Sequence, residues 1–381
     1  MKQSKPKALW KVIFTDLLVG ALALGLVVFF QIGLPYLQGK IRSADLQAAR
    51  AAAQTAPTAE SIPPAAPTPS PIPETPAAEI PAVQPTEDAL STPEPTPEPT
   101  PEPTPDTRTE WQIRFADQFT DEVIITENSY TSPEVAIHVD TREYGEGEEK
   151  SVYHVADIYV ASLDNFRTCT AYGQMEPWVT QDPMEMDADA HAILAISGDY
   201  FCYQSFGFLV RNSQIYRDDQ TYCDLCVLYE SGELACYRRE DYLVEDILSR
   251  GVVQAWNFGP SLLDENGLLE EDYMERLSKD EKASIAIAMP NPRSAVGYYE
   301  PGHYVFVVVD GRQDGYSRGM TIPELASVFR DLGCKVAYNL DGGGSALMTF
   351  LHERYSSQSN LADRELGDML IVTETGWEDK R

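Results

Sequence analysis

Apolar positions along this chain fall into three regimes. The first is continuous: Leu17 to Phe30 carries almost nothing else, and the run extends through Gln31 to Leu37. Lys2, Lys5, Lys7 and Lys11 precede it, and Lys40 and Arg42 follow. An apolar stretch of this length with a basic N-terminal flank predicts a membrane-spanning helix over residues 12–37, a cytoplasmic tail over 1–11, and the rest of the chain across the membrane. A cleaved signal peptide, processed in the Ala-rich stretch near Ala48 to Ala53, is the rival reading. The run is long for a signal h-region, which favours the anchor, and the remainder is exported on either reading.

In the second regime apolar side chains thin out. Residues 38–109 begin Ala-rich and turn to Pro, Thr and Glu, ending in Thr-Pro-Glu-Pro repeats from Thr92 to Pro105. Of 27 prolines, 17 lie between Pro57 and Pro105, so this stretch cannot supply a core. Proline fixes φ and removes a donor, which predicts a disordered, solvated polyproline II stalk rising about 3.1 Å per residue, on the order of 150 Å over fifty residues.

The third regime, 110–381, mixes strand and helix periods and predicts one globular domain. Ala192 to Ile196 reads as a buried strand that ends at Ser197-Gly198-Asp199-Tyr200-Phe201. Asp241 to Ser249 has Leu243, Val244, Ile247 and Leu248 at helical spacing before Gly251, and Asp264 to Gly267 reads as a turn. Tyr304 to Val309 is an apolar, β-branched strand stopping at Asp310-Gly311. Thr321-Ile322-Pro323-Glu324 has capping-box spacing and opens a helix that Gly333 ends. Val336 to Leu340 is the next strand, stopping at Asp341-Gly342-Gly343-Gly344.

Strand, helix, strand in this order predicts two parallel strands joined by a crossover. The fold class expected is therefore α+β (mixed α/β): one catalytic domain with a partly parallel mixed sheet and flanking helices. Parallel strands end on one sheet edge, so Asp310 and Asp341 should share a cleft, with Asp199 reaching the same edge if its strand joins the sheet.

Composition narrows the partners. Lys and Arg number 29 against 60 Asp and Glu, a net charge of −31, which argues against nucleic acid because that binding depends on cations neutralising phosphates.

Ser197-Gly198-Asp199-Tyr200-Phe201, Phe258-Gly259-Pro260, Asn291-Pro292-Arg293-Ser294-Ala295-Val296-Gly297, Asp310-Gly311-Arg312 and Asn339-Leu340-Asp341-Gly342-Gly343-Gly344-Ser345 stand in an order that resembles the phosphodiester glycosidase family. Gly319-Met320-Thr321 and Arg364-Glu365-Leu366-Gly367-Asp368 add to the resemblance, which covers most of residues 160–375. It implies hydrolysis of the bond between a sugar's anomeric carbon and a phosphodiester, on a cell-envelope or extracellular glycan. An oxocarbenium-like transition state needs one carboxylate at the anomeric carbon and a second acid or base. On this resemblance Asp341 is the nucleophile or general base, Asp310 its partner, and Asp199 a third carboxylate or sugar-hydroxyl acceptor. Arg293 and Arg312 would take the phosphate charge, and Gly342, Gly343, Ser345, Tyr200 and Asn339 would line the substrate site.

Plain structural readings compete. An Asp at a strand end is often a turn-former, Arg211, Asn212 and Arg217 suit surface ion pairs at least as well as the lining of the cleft, and Arg364 with Asp368 suits a mutual pair ahead of the strand-like Met369 to Val372. Six cysteines (Cys169, Cys202, Cys223, Cys226, Cys236, Cys334) permit three disulfides in fifteen connectivities. Cys223, Cys226 and Cys236 could instead hold zinc, although no second pair matches. No cofactor is implied. A calcium ion between Asp199, Asp310 and Asp341 stays open, because oxygen sites assembled from distant segments leave no sequence pattern. The alternative to an enzyme is a noncatalytic glycan-binding protein of the envelope, since a fold outlives its chemistry.

Overall fold

The structure is a computed structural model that describes residues 108–204, 207–220, 223–238, 241–264, 288–359 and 363–375, together with positions 25, 29 and 33–55. Nearly all of the run expected to span the membrane, and the Pro-rich repeats, lie outside these residues. Among the described residues no helix is long and apolar enough to cross a membrane.

Helix α1 (Leu34–Thr55) occupies the beginning of the stretch that composition assigned to the linker. The physical reason is that the prolines start only at Pro57, whereas Ala48, Ala49 and Ala51 to Ala53 are strong helix formers. Contacts group residues 1–50 with 108–381, and residues 51–107 form a separate unit of which only 51–55 are described. Within the first unit, α1 buries Gly39 and Ser43 and sets Leu46 against the Met186–Leu366 cluster. Lys40 pairs with Glu365, and the Ser43 hydroxyl accepts the Thr180 N–H at 3.1 Å. Further on, Thr109 and Gln112 cap the short helix α2 (Glu110–Arg114) reciprocally.

Among the described residues of the domain the strands form three antiparallel sheets. The first runs in the order β1 (Ile124–Ile125), β2 (Ser129–Thr131), β3 (Val135–Tyr144), β4 (Ser151–Val160), β13 (His303–Val309), β12 (Arg293–Glu300), β14 (Val336–Leu340). The second is β10 (Leu234–Tyr237), β9 (Leu225–Tyr229), β11 (Val252–Trp256), β7 (Phe208–Arg211), β8 (Gln214–Asp218). The third is β16 (Glu353–Arg354), β15 (Met348–Phe350), β6 (Leu194–Ser197), β17 (Asp368–Val372), β5 (Phe166–Thr170). The short helices α3 (Pro183–Ala190) and α4 (Val244–Leu248) flank the third and second sheets. The helix expected over 241–249 is thus shorter than its apolar spacing suggested, and 265–267 of the expected turn lie outside the described residues.

Among the described residues every strand pairing is antiparallel, which corrects the expected partly parallel sheet. The strand, helix, strand unit does form: β13, then helix α5 (Ile322–Leu332), capped by Thr321 and Glu324 and closed by Gly333 at φ 82°, then β14. What the sequence left out is β12, which inserts between β13 and β14 and runs antiparallel to both. Two strands flanking a common antiparallel neighbour still point the same way, so Asp310 and Asp341 do leave one sheet edge. They stand two strand spacings apart at the backbone, about 9–10 Å, rather than side by side.

The continuous apolar run of β13 is buried on both faces. Tyr304, Phe306 and Val308 face a core shared by the three sheets, with Trp256, Phe166, Ile196 and Tyr338. Val305, Val307 and Val309 face α5, where Ile322, Leu325, Ala326 and Phe329 cover the other side. Burying an apolar side chain of this size fully stabilises by roughly 1.5–3 kcal/mol each, so the two clusters hold the sheet edge rigidly.

Candidate functional site

The edge where β13 and β14 end and β12 begins is assembled around Pro292. A Cβ on Gly311 would meet Pro292 N at 2.8 Å, and one on Gly342 would meet Pro292 O at 2.5 Å. Both Asp-Gly pairs therefore need glycine so that the chain can close on this proline from two sides. Gly343 N–H donates to Pro292 O at 2.9 Å and takes φ 62°, which turns the chain toward Gly344.

Asp341 is fixed through its backbone. Its N–H donates to Gly198 O (3.0 Å), and its carbonyl accepts the Ser197 hydroxyl (3.0 Å), which also touches Ser294 Oγ (2.7 Å). Thus β6, a strand of another sheet, holds the end of β14. The residue is 8% exposed, and burial raises its carboxyl pKa to about 6, with the Ser345 hydroxyl and Arg364 pulling down and the Asp199 charge pushing up. Arg364 Nη1 stands 3.5 Å from Asp341 Oδ2, and its own N–H donates to Gly344 O at 3.2 Å. Tyr200 completes this group: burial, and then the Asp341 charge, raise its phenol pKa, while its ring lies 4.4 Å from that of Tyr203 and 6.3 Å from that of Phe258. Exposed Arg312 approaches the glycine loop and donates from Nη2 to Asn291 Oδ1 at 3.0 Å; a Cβ on Gly343 would lie 3.0 Å from it.

Several expected site residues are engaged elsewhere. Asp199, expected as a third carboxylate, is buried: its side chain accepts Phe201 N–H (2.8 Å) and Asn257 N–H (3.2 Å) and pairs with Arg211 Nη2 (2.9 Å). The same Arg211 Nη2 stands 2.8 Å from Asp368 Oδ2. Arg364 and Asp368 therefore do not pair with each other, because a spacing of four brings side chains together on a helix, and Asp368 opens strand β17. Burial lifts the Asp368 carboxyl to about 7, although Arg211 opposes the rise.

Asp310 is 1% exposed and surrounded by donors: His154 Nε2 lies 2.9 Å from Oδ2, Tyr316 O–H donates to Oδ2 at 3.0 Å, and Ser357 N–H to Oδ1 at 2.8 Å. Arg293 is buried and donates to the carbonyls of Met320 (2.9 Å) and Met289 (3.0 Å), so it ties two loops together at the β12 start. Asn339 is buried and donates to Gly259 O at 2.8 Å, next to the cis Gly259–Pro260 bond. Gly342 packs on Pro292, while Gly343, Ser345 and Tyr200 stay with Asp341.

Sequence reasoning had no pattern that would join His154, Tyr316 and Ser357 to Asp310, since they come from three separate segments. Among the described residues no group of three or more His, Cys, Asp or Glu side chains is placed to hold a metal ion, so the zinc and calcium readings find no site here.

Residues 190–373 match the family model described as phosphodiester glycosidase. The chain is 25% identical over 175 residues to the SPbeta prophage-derived uncharacterized protein YomE of Bacillus subtilis (strain 168), which is 44% of this chain and only about a quarter of that relative's length. Its fold is shared with the zebrafish N-acetylglucosamine-1-phosphodiester alpha-N-acetylglucosaminidase catalytic domain, auto-inhibited by its pro-peptide, with a TM-score of 0.52, 19% identity, and coverage of 66% of this chain and 88% of that one. A hypothetical protein from Synechocystis aligns with a TM-score of 0.46 and 12% identity over 63% of this chain and 62% of its own.

Proposed function

Because the domain within residues 190–373 belongs to the phosphodiester glycosidase family, we propose that this chain hydrolyses the bond between a sugar's anomeric carbon and a phosphodiester, with Asp341 at the reacting carbon. The observation that carries the reading is Asp341 itself: a nearly buried carboxyl, raised to about 6, at the mouth of a glycine loop and beside an arginine. A group with that acidity is ionised at neutral pH yet poorly solvated, which suits attack on an oxocarbenium-like centre or deprotonation of the attacking water.

The leaving group is a phosphomonoester that needs its charge stabilised more than it needs a proton. Arg312 and Arg364 approach the Gly342–Gly344 loop at Gly343 and Gly344, and guanidinium forks bind phosphate oxygens in pairs. Tyr200 and Tyr203 offer half-buried ring faces beside Asp341 for the sugar. Asp310, saturated by three donors, acts as a positioning residue that fixes the Gly311–Arg312 turn. In this proposal the substrate is a cell-envelope or extracellular glycan, the chain is held by its N-terminal apolar segment, and the domain works outside the cytoplasm.

The test is release of reducing sugar from an N-acetylglucosamine 1-phosphodiester by the purified full-length chain, with Asp341→Asn alongside. Turnover that disappears in the variant supports the reading. A folded wild type that binds glycans but releases nothing from phosphodiesters or simple glycosides favours the noncatalytic glycan-binding alternative.

A further inference from the structure

Cys226 on β9 and Cys236 on β10 are direct cross-strand partners. Which kind of partner follows from the hydrogen bonds at the hairpin's end. Tyr229 N–H donates to Glu233 O at 2.9 Å, so Tyr229 and Glu233 form a hydrogen-bonded pair. Pair types alternate along an antiparallel ladder. Leu228 with Leu234 is then a non-hydrogen-bonded pair, Val227 with Ala235 a hydrogen-bonded one, and Cys226 with Cys236 non-hydrogen-bonded again. The other side of β9 agrees: Glu230 N–H bonds Gly251 O, so even-numbered residues there turn their backbone groups toward β11, where Cys226 faces Trp256.

The distinction matters because non-hydrogen-bonded partners have Cα atoms only about 4.5 Å apart with side chains leaning together, inside the range that a disulfide spans. Both thiols lie on the same face, Cys226 buried in the three-sheet core and Cys236 packed against that core from a half-buried position. Burial, and then the neighbouring Cys236, raise the Cys226 thiol well above its ordinary range. By contrast Cys169 stands opposite Met369. Cys202 lies in a short 3-10 turn and Cys334 just after α5, neither on a strand.

We propose that Cys226 and Cys236 are an oxidative cross-linking site, closing a disulfide across the β9–β10 hairpin when the chain meets a protein or small-molecule disulfide as oxidant. The more accessible Cys236, as thiolate, attacks the oxidant's disulfide and forms a mixed disulfide, expelling one thiolate. Cys226 then gives up its proton and attacks Cys236 Sγ, expelling the second. Two thiols lose two protons and two electrons, and the oxidant's disulfide becomes two thiols. The bond lies beside Tyr338, whose hydroxyl donates to Asp224 O (2.6 Å) and accepts Phe258 N–H (2.9 Å), so it anchors the strand that leads to Asn339 and Asp341.

The experiment incubates the folded full-length chain with oxidised glutathione, alkylates remaining thiols in denaturant without reductant, and maps the peptides by mass. The expected result is a single linked peptide pair carrying Cys226 and Cys236, two mass units lighter than the sum, that separates on adding dithiothreitol. Alkylation of both residues, or linkage of Cys223 to either, overturns the proposal. Cys236→Ser supplies the second readout: it should melt like the reduced wild type and lower than the oxidised wild type by several degrees, roughly 5 °C for a loop of this length. Identical melting of oxidised and reduced wild type would overturn the proposal that the link closes within the native hairpin.

Discussion

Arg364 Nη1 lies 3.5 Å from Asp341 Oδ2, and the two residues reach each other from segments 23 positions apart, across the Gly344 carbonyl that accepts the Arg364 N–H. Burial raises the carboxyl, and the Ser345 hydroxyl and then this guanidinium restrain the rise.

Asp341→Asn should lower kcat on a sugar phosphodiester by about 10³-fold while the protein keeps its fold, since a positioned acid, base or nucleophile contributes roughly 10²–10⁴. Steady-state kinetics with circular dichroism on the same sample decides it, and a variant retaining a tenth of wild-type kcat would remove Asp341 from the reaction.

The pH dependence of stability has a definite sign. The Asp341 carboxyl is raised from 3.8 to about 6 in the fold, so the neutral form is favoured there. Its contribution is full below about pH 4 and is lost as pH rises toward 6, an effect of up to about 3 kcal/mol for a two-unit shift. Urea titrations should therefore show Asp341→Asn gaining on wild type between pH 4 and 7, and parallel curves across that range would refute the assignment.

Arg364→Gln should move the acidic limb of the pH–rate profile to higher pH, because the charge that holds the Asp341 carboxyl down is gone. A loss of kcat with an unmoved limb would instead confine Arg364 to binding phosphate.

Gly342 and Gly344 offer a contrast within one loop. Gly342→Ala places a methyl 2.5 Å from Pro292 O, a backbone atom, and should destabilise by about 1–3 kcal/mol. Gly344→Ala meets nothing closer than Arg364 at 3.8 Å, so its Tm should stay within a degree or two of wild type.

Arg211→Met leaves Asp199 and Asp368 facing each other in the interior without their shared cation. Removing one partner of a buried ion pair costs about 3–5 kcal/mol, which chemical denaturation would register as a large drop in midpoint. A change under 1 kcal/mol would mean that the two carboxyls protonate at little cost.

Local features could be read from the order of residues alone. The apolar run of β13, the Thr321–Glu324 cap, the Gly333 stop and the strand ahead of Asp341 were legible because burial, capping and left-handed turns act on neighbouring residues. Sequence also marked Asp310 and Asp341 as ends of like-directed strands, and that direction held. Tertiary structure alone decided that β12 separates them, since pairing between strands is set by nonlocal packing and Arg293 to Glu300 carries no local sign of its neighbours. It decided too which carboxylates are spoken for. Asp199, Asp310 and Asp341 look alike as residues before or after glycine, but the first meets Arg211, the second His154, Tyr316 and Ser357, and the third Ser345 and Arg364 at the edge of a half-open loop. Buried charge must find partners wherever the fold brings them, and those of Asp310 lie from 6 residues away in the chain, for Tyr316, to 156, for His154.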